Sequence, residues 1–194
     1  AHLAFENKEI STYLEYSANR WHKVKHNSTY HSLPHHHKFS QFLWINPKPP
    51  LDDLNVRRAI TMLFNGRLIN QRIFSGEYQT NAHPVSLRQS LSQASHLLDK
   101  GGWTLKNGKR YKNEQPLQLT ISVPNQVWNP VLYWLQYQCK RVGIELNINY
   151  LAKSNYEKHI IRGSYQMVFD SVAFYPAYIV PPPVFDKTLK TSYA

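Results

Sequence analysis

The feature that most constrains this sequence is a regular alternation of strand-like and helix-like segments in its second half. Apolar residues recur at every second position in 117–123 and 144–150, as in β-strands, and a third strand-like run covers 165–172. The intervening segments, 131–142 and 154–161, have the apolar spacing of helices. A β-α-β-α-β order predicts right-handed crossovers and a mainly parallel sheet flanked by helices, which is an α/β fold.

The first half carries local signals of the same kind. The apolar run 41–46 is stopped by prolines and predicts a buried strand. Asp52 or Asp53 precedes apolar residues at helical spacing and is expected to cap a helix, as is Ser154 later in the chain. The stretch 106–109, Lys-Asn-Gly-Lys, is typical of a hairpin turn.

The composition excludes several classes of protein. With 42% hydrophobic residues among 194, the chain can bury a core and differs from a disordered tail. Its apolar runs are too short for a transmembrane span. The single cysteine, Cys139, excludes an internal disulfide and is predicted to be a small core residue. The net charge of +11 favours an acidic partner or simply solubility, without choosing between them.

Motifs of the common catalytic sites are missing from the sequence. It contains no glycine-rich phosphate loop, no Gly-x-Ser-x-Gly and no His-Glu-x-x-His. Its one adjacent acidic pair, Asp52 and Asp53, lies where a helix cap is needed. We therefore expect a protein that is not an enzyme and that uses no cofactor.

The composition suggests two further kinds of site. The cluster of His31, His35, His36 and His37 offers imidazoles that suit nickel, copper or zinc, but adjacent ligands rarely converge on one ion, so a solvated loop is the favoured interpretation. The many Lys, Arg, Trp and Tyr residues suit nucleic acids. Because the cations are spread along the chain and no nucleic-acid-binding motif occurs, we expect no nucleic-acid partner.

A candidate ligand site follows the last predicted strand. Asp170, Phe174, Tyr175 and Tyr178 lie at or just past its carboxyl end, and open α/β sheets bind ligands outside the carboxyl ends of their strands. The aromatic residues could form an amphipathic wall for a ligand. Alternatively, they pack against the proline-rich segment that begins at 181. The sequence leaves both possibilities open.

Several motifs then occur in a specific order. They are Phe42-Leu43-Trp44-Ile45-Asn46, Pro50-Leu51-x-Asp53-x-x-Val56-Arg57-Arg58-Ala59, Leu97-Leu98-x-x-Gly101-Gly102-Trp103, Asn107-Gly108-Lys109, Val142-Gly143-Ile144 and Tyr165-Gln166-Met167. With these motifs the chain resembles the family 5 extracellular solute-binding proteins, the dipeptide, oligopeptide and nickel receptors of ABC importers. Its stretch Glu15-x-Ser17-Ala18-x-x-Trp21 is similar to the long-peptide or murein-peptide receptors within that family.

The resemblance implies part of a monomeric, two-lobed receptor of the type II periplasmic-binding-protein class. Such receptors capture oligopeptides in the periplasm or another extracytoplasmic space and deliver them to a membrane permease. Residues 1–46 would end the first lobe and cross to the second, 47–180 would form the second α/β lobe, and 181–194 would be a proline-rich return segment. Within the first part, 1–22 predict a short helix, a strand and a second short helix. Trp21 joins the candidate ligand-binding residues.

The sequence also departs from the family pattern. Gln166 stands where the family usually has Asp. Peptide receptors commonly pair an Asp just past the last strand with the amino terminus of the ligand, but residues 174–176 contain no carboxylate. Asp170, four residues before 174, is therefore the nearest candidate. A nickel- or metal-chelate receptor on the same fold and the sensor lobe of a DNA-binding regulator stay as alternatives.

Overall fold

The structure, a computed structural model, describes residues 1–15, 17–33, 39–77, 90–124 and 129–173. In chain order the elements are α1 (His2–Glu6), α2 (Ala18–Val24), β1 (Phe39–Ile45), α3 (Leu54–Leu63), α4 (Gly66–Ile73), α5 (Leu91–Lys100), β2 (Thr104–Lys106), β3 (Lys109–Lys112), β4 (Gln115–Pro116), β5 (Gln118–Pro124), α6 (Pro130–Arg141), β6 (Glu145–Leu151), α7 (Lys153–Ile161) and β7 (Met167–Ala173). Across these described ranges, every helix is too short or too polar to span a membrane.

Contacts within the chain divide it into two compact units. The first unit consists of Ala1–His36 and Gly66–Ser86, and the second consists of His37–Asn65 and Leu87–Ala194. The chain therefore enters the second unit with β1 and α3, returns to the first for α4, and completes the second with the remaining elements.

In the first unit, the carboxylate of Glu77 links the segment after α4 to α2. It accepts a hydrogen bond from Lys25 Nζ at 2.5 Å and lies 2.6 Å from His22 Nδ1. The contact with Lys25 has the larger effect, and together the two contacts hold the pKa of Glu77 below its usual value. Residues 7–15 contain no strand, so the strand predicted within 1–22 is wrong. That segment has no neighbouring strand to pair with among the described residues of the unit.

The second unit is built on a four-stranded sheet in the order β1-β7-β5-β6. β5 is parallel to both β6 and β7, whereas β1 is antiparallel to β7 at the edge. The predicted mainly parallel sheet is confirmed, with the run 41–46 forming most of the antiparallel edge strand.

Helices cover the centre of this sheet. Consecutive residues Ile121, Ser122 and Val123 of β5 are all buried, which requires cover on both faces because successive side chains point in opposite directions. α6 packs against β6 and α7 against β5. Leu132 and Leu135 place the apolar side of α6 in the core, where neither is accessible to solvent.

Side-chain caps begin most of the longer helices of this unit. Asp53 accepts a hydrogen bond from the Asn55 backbone N–H at 2.8 Å and so caps α3, as predicted. Burial tends to raise the pKa of Asp53, but the Asn55 amide and the nearby Lys112 outweigh it and hold that pKa low. The predicted cap at Ser154 is wrong, because α7 begins one residue earlier, after Ala152, and has no side-chain cap.

A second, smaller sheet contains β2, β3 and β4, all antiparallel. The turn between β2 and β3 is the predicted Lys-Asn-Gly-Lys hairpin. Asn107 and Gly108 both have positive φ, 50° and 77°, which is the backbone that favours Asn-Gly in a two-residue hairpin loop.

Arg110 of β3 joins this hairpin to two helices of the second unit. Its side chain is only 1% exposed. The Nε donates to the Val142 carbonyl at 2.9 Å, just past α6, and a terminal nitrogen donates to the Trp103 carbonyl at 2.5 Å. The terminal nitrogens also donate to the Asp99 carboxylate and to the Ser95 hydroxyl, both on α5. One buried guanidinium therefore satisfies acceptors from three segments.

Asn46, which ends the strand motif of the sequence, fixes the turn between α7 and β7. Its side-chain amide donates to the carbonyls of Gly163 and Tyr165 at 3.0 and 2.9 Å. Its backbone N–H donates to the Gln166 carbonyl at 2.8 Å, and Lys48 Nζ adds a second bond to Gly163 at 2.8 Å. The motif residue thus positions the start of β7.

Candidate ligand-binding edge of the sheet

The carboxyl ends of the parallel strands meet at one edge of the four-stranded sheet. β5 ends there at Pro124, which pairs with Leu151, the last residue of β6. The parallel register of β7 on β5, continued to the end of β5, puts Asp170 level with Pro124. β7 then continues to Ala173, opposite Phe39 of β1. A two-stranded β1–β7 ribbon therefore extends past the edge where open α/β sheets bind ligands.

The predicted ligand residues of the last strand belong to this edge or follow it. Asp170 lies in β7 opposite Phe42 of β1, at the carboxyl edge as the sequence predicted. Phe174, Tyr175 and Tyr178 lie outside the described residues. Ligand binding by these four residues stays a prediction.

Trp21, the remaining predicted ligand residue, is a half-buried residue of α2 in the first unit. The chain just before this helix is held by Glu15, whose carboxylate accepts from the Ser17 N–H at 2.7 Å and from Arg20 Nε at 2.8 Å. Burial tends to raise the pKa of Glu15, but these two donors outweigh it and the pKa lies below the usual value. Glu15 is therefore an ionised, largely buried carboxylate.

A groove of about 400 Å³ opens beside this ion pair. It is lined by Ala1, His2, Leu3, Tyr13, Leu14, Glu15 and Arg20. Burial and the charge of Glu15 raise the pKa of the Tyr13 hydroxyl, which donates to that carboxylate at 3.3 Å. The groove therefore combines neutral hydroxyl, ionic and aliphatic surfaces within the first unit.

A tyrosine pair at the carboxyl edge of the sheet was missed by sequence reasoning. The hydroxyls of Tyr133 on α6 and Tyr150 on β6 are 3.0 Å apart. Tyr150 pairs along the strands with Val123, the residue before the last one of β5. The hydrogen bond with Tyr133, followed by burial, raises the pKa of Tyr150, so the hydroxyl is neutral at physiological pH. The available signal was a tyrosine near the start of a helix followed by another near the end of the next strand.

Tyr137 extends this aromatic surface along α6. It lies one helical turn after Tyr133, so the two side chains occupy the same side of the helix. The Arg141 guanidinium lies 5.9 Å from the centre of the Tyr137 ring, in cation–π contact. Tyr133, Tyr137 and Tyr150 are 43%, 58% and 39% exposed, which leaves much of each side chain free to contact a ligand.

Gln166, which departs from the family pattern, has a structural role. Its side-chain oxygen accepts a hydrogen bond from the Thr120 backbone N–H of β5 at 2.8 Å. The first residue pair of the β5–β7 ladder, Ile121 with Met167, follows immediately. A neutral amide oxygen therefore serves as the acceptor at the position where the family usually has a carboxylate.

Metal ligands are not gathered anywhere in the described part of the chain. Within those residues, no three His, Cys, Asp or Glu side chains are placed to share an ion. His31 is exposed, and His35, His36 and His37 lie outside the described residues. Cys139 is buried, and burial raises the pKa of its thiol to about 12, which disfavours the metal-binding thiolate.

The sequence of the chain matches a family profile. The profile described as bacterial extracellular solute-binding proteins, family 5 middle, matches residues 1–193. The chain belongs to this family. The resemblance seen in the sequence is thereby confirmed, and the family is one of binding proteins. No curated protein sequence matches the chain significantly.

Solved structures of solute-binding proteins share the fold of this family member. NikA from Brucella suis, in complex with Fe(III)-EDTA, is 20% identical over 87% of this chain and 37% of its own, with a TM-score of 0.73. Lactococcal OppA with an endogenous peptide is 18% identical over 88% of this chain and 39% of its own, with a TM-score of 0.70. A mannohexaose-bound oligopeptide-binding protein from Thermotoga maritima is 20% identical over 70% of this chain and 30% of its own, with a TM-score of 0.61.

These likenesses establish the fold of the family 5 chain as that of type II periplasmic binding proteins. The chain spans between 30% and 39% of the length of the three structures. Their bound molecules are a metal chelate, a peptide and a saccharide, so the shared fold does not select a ligand class.

Proposed function

We propose that this chain is part of the substrate-binding component of an ABC-type importer that captures oligopeptides. The complete receptor would hold its ligand between two lobes and deliver it to a membrane permease. It would act as a monomer in the periplasm or another extracytoplasmic space. The observation that carries this proposal is the family 5 match over residues 1–193, on a chain with the fold of periplasmic binding proteins.

The arrangement of the second unit supports this function. Its parallel strands end at one edge, where the backbone position of Asp170 is level with the end of β5. A carboxylate at this edge suits the charged amino terminus of a peptide, and it would replace the carboxylate that residues 174–176 lack. Phe174, Tyr175 and Tyr178 follow directly in sequence and would supply aromatic contacts.

The amino-terminal part of the chain would contribute to the first lobe. Residues 1–46 are proposed as the end of that lobe and the crossover, 47–180 as the second lobe and 181–194 as the return segment. Trp21 would provide an aromatic contact from the first lobe. Because such receptors bury their ligand by closing two lobes, one lobe with part of its neighbour would retain only part of the contact surface.

Peptide titration of two proteins tests the proposal. Calorimetry with a mixture of neutral tetra- and pentapeptides should detect binding to the full-length parent and much weaker binding to the 194-residue chain. An Asp170→Asn variant of the parent should bind free-amine peptides more weakly but N-acetylated peptides equally well. Tight binding by the 194-residue chain alone would refute the need for two lobes, and a parent that binds no peptide would refute peptide capture.

A metal-chelate receptor is the second candidate, favoured by the likeness to Brucella suis NikA in complex with Fe(III)-EDTA. The cluster of His31, His35, His36 and His37 offers imidazoles for a chelated metal. Calorimetric titration of the parent with nickel and with Fe(III)-EDTA tests this candidate. Saturable binding that is lost when His35, His36 and His37 are replaced by Ala would support it, and unchanged binding would assign the metal to another site.

A further inference from the structure

The exposed surface formed by Tyr133, Tyr137 and Tyr150, here called the tyrosine surface, has a chemistry that peptide capture does not require. α6 buries one side and exposes Tyr133 and Tyr137 on another, and Tyr150 is exposed on the neighbouring strand β6. Helical spacing makes Tyr133 and Tyr137 neighbours, and the 3.0 Å hydroxyl contact joins Tyr133 to Tyr150. Three large aromatic side chains thus form one contiguous patch that bridges a helix and an edge strand.

The tyrosine surface lies at the ligand-binding edge of the sheet. Tyr150 is level with Val123 near the end of β5, and Tyr133 lies in the first part of α6, the helix that follows β5. Ligands of open α/β sheets bind outside this edge. The patch is therefore placed where it can touch a bound molecule.

Hydrogen-bonding capacity and charge narrow the chemistry of that molecule. One hydroxyl of the Tyr133–Tyr150 pair donates to the other, which leaves one O–H proton and several acceptor positions for a ligand. The Tyr150 hydroxyl is neutral at physiological pH, because its hydrogen bond with Tyr133, followed by burial, raises its pKa. The Arg141 guanidinium is in contact with the patch, where it already faces the Tyr137 ring.

We propose that the tyrosine surface is a subsite for a neutral saccharide ring. Aromatic faces pack against the apolar faces of pyranose rings, and neutral hydroxyls exchange hydrogen bonds with sugar hydroxyls without the desolvation cost of an ion. Tyr133 and Tyr150 supply both features at one place, and Tyr137 extends the packing surface along the helix by one turn. The subsite goes beyond peptide capture and does not depend on it.

NMR titration of the 194-residue chain tests the subsite, with cellotetraose as the neutral saccharide and tetra-alanine as the peptide. At millimolar concentration, cellotetraose should shift the signals of Tyr133, Tyr137 and Tyr150. Tyr150→Phe and Tyr133→Phe, which keep the rings and remove one hydroxyl each, should weaken saccharide binding about 3- to 10-fold. Tyr137→Ala should weaken it by a similar factor, while Tyr111→Phe on the separate small sheet should not.

The same titration contains the outcomes that overturn the proposal. Shifts confined to other residues, or affinity unchanged in both Tyr→Phe variants, would place saccharide binding elsewhere. Absence of saccharide shifts at millimolar concentration would reject the subsite, and tyrosine shifts with tetra-alanine alone would assign the surface to peptide. Peptide capture is judged separately with the full-length parent, so either proposal can fail without the other.

Discussion

The guanidinium of Arg110 and the carboxylate of Asp99 form an ion pair with very unequal exposure. Arg110 is 1% exposed, whereas Asp99 is 58% exposed. The arginine is therefore the buried partner, and its remaining protons are taken by uncharged acceptors such as the carbonyls of Trp103 and Val142. The pair lies at the boundary between the core and solvent.

This asymmetry predicts different costs for the two partners. Arg110→Met leaves the Trp103 and Val142 carbonyls without their donor and should lower the free energy of unfolding by about 2–4 kcal/mol. Asp99→Asn keeps an acceptor at an exposed position and should cost about 1 kcal/mol or less. Urea unfolding midpoints measure both. A loss at Asp99 as large as that at Arg110 would contradict the arrangement.

Gly143 provides a second test of packing. Its φ is +84°, and a Cβ there would lie 2.6 Å from Leu105 Cδ1 and 2.9 Å from Arg110 Cγ. Gly143→Ala should therefore destabilise the chain by about 2–4 kcal/mol through strain and overlap. Gly163→Ala is the matched control, since its φ is +58° but nothing lies within 4 Å, and it should cost only about 1 kcal/mol. Equal thermal shifts for the two variants would contradict the steric argument.

The role of Gln166 can be tested at a single amide. Gln166→Ala removes the acceptor of the Thr120 N–H, so hydrogen exchange of that amide should accelerate and stability should fall by about 1 kcal/mol. Gln166→Glu retains an oxygen acceptor and should restore most of the protection. If Thr120 exchanges equally fast in all three proteins, this hydrogen bond does not hold the strands together.

The first unit should lose stability in acid through Glu77. Its pKa is lower when folded than when unfolded, because Lys25 and His22 contact the carboxylate. Its contribution is therefore present above the unfolded pKa and is lost as the pH falls below about 4. Glu77→Gln should flatten this part of the stability profile, measured by denaturant unfolding between neutral pH and acid. Glu9→Gln, an exposed change in the same unit, should leave the profile unchanged.

The thiol of Cys139 should be unreactive toward alkylating reagents in the folded chain. The thiol is buried and burial raises its pKa to about 12, so little thiolate exists at mildly alkaline pH. Iodoacetamide at pH 8 should leave the folded protein unmodified and alkylate it fully in urea, as mass spectrometry would detect. Rapid modification without denaturant would show that α6 opens readily.

Local signals in the sequence predicted much of this fold. The alternating strands, the Asp53 cap and the Asn107-Gly108 turn each depend on residues a few positions apart, where spacing and backbone preference are informative. Arg110 contacts Val142, 32 positions away, and Glu77 contacts His22, 55 positions away. The local periodicity of a sequence carries no information about contacts at such separations.

The candidate site was predicted less completely for the same reason. The position of Asp170 at the sheet edge follows from where the last strand ends, so the sequence could provide it. The tyrosine surface depends on a contact between Tyr133 and Tyr150 across a helix and a strand. Each tyrosine alone resembles an ordinary surface residue, and only the folded chain brings their hydroxyls together.

The β1–β7 ribbon has a mechanical consequence. Both strands have their outer ends at the same place, with Phe39 opposite Ala173, and their inner ends where Asn46 bonds to Gly163 and Tyr165. A force that draws the two outer ends apart acts on the residue pairs one after another, starting with Phe39 and Ala173. The β1–β7 ribbon can therefore open gradually from its outer end while the hydrogen bonds of Asn46 hold its inner end. This would make the ribbon more easily deformed than the four-stranded part of the sheet.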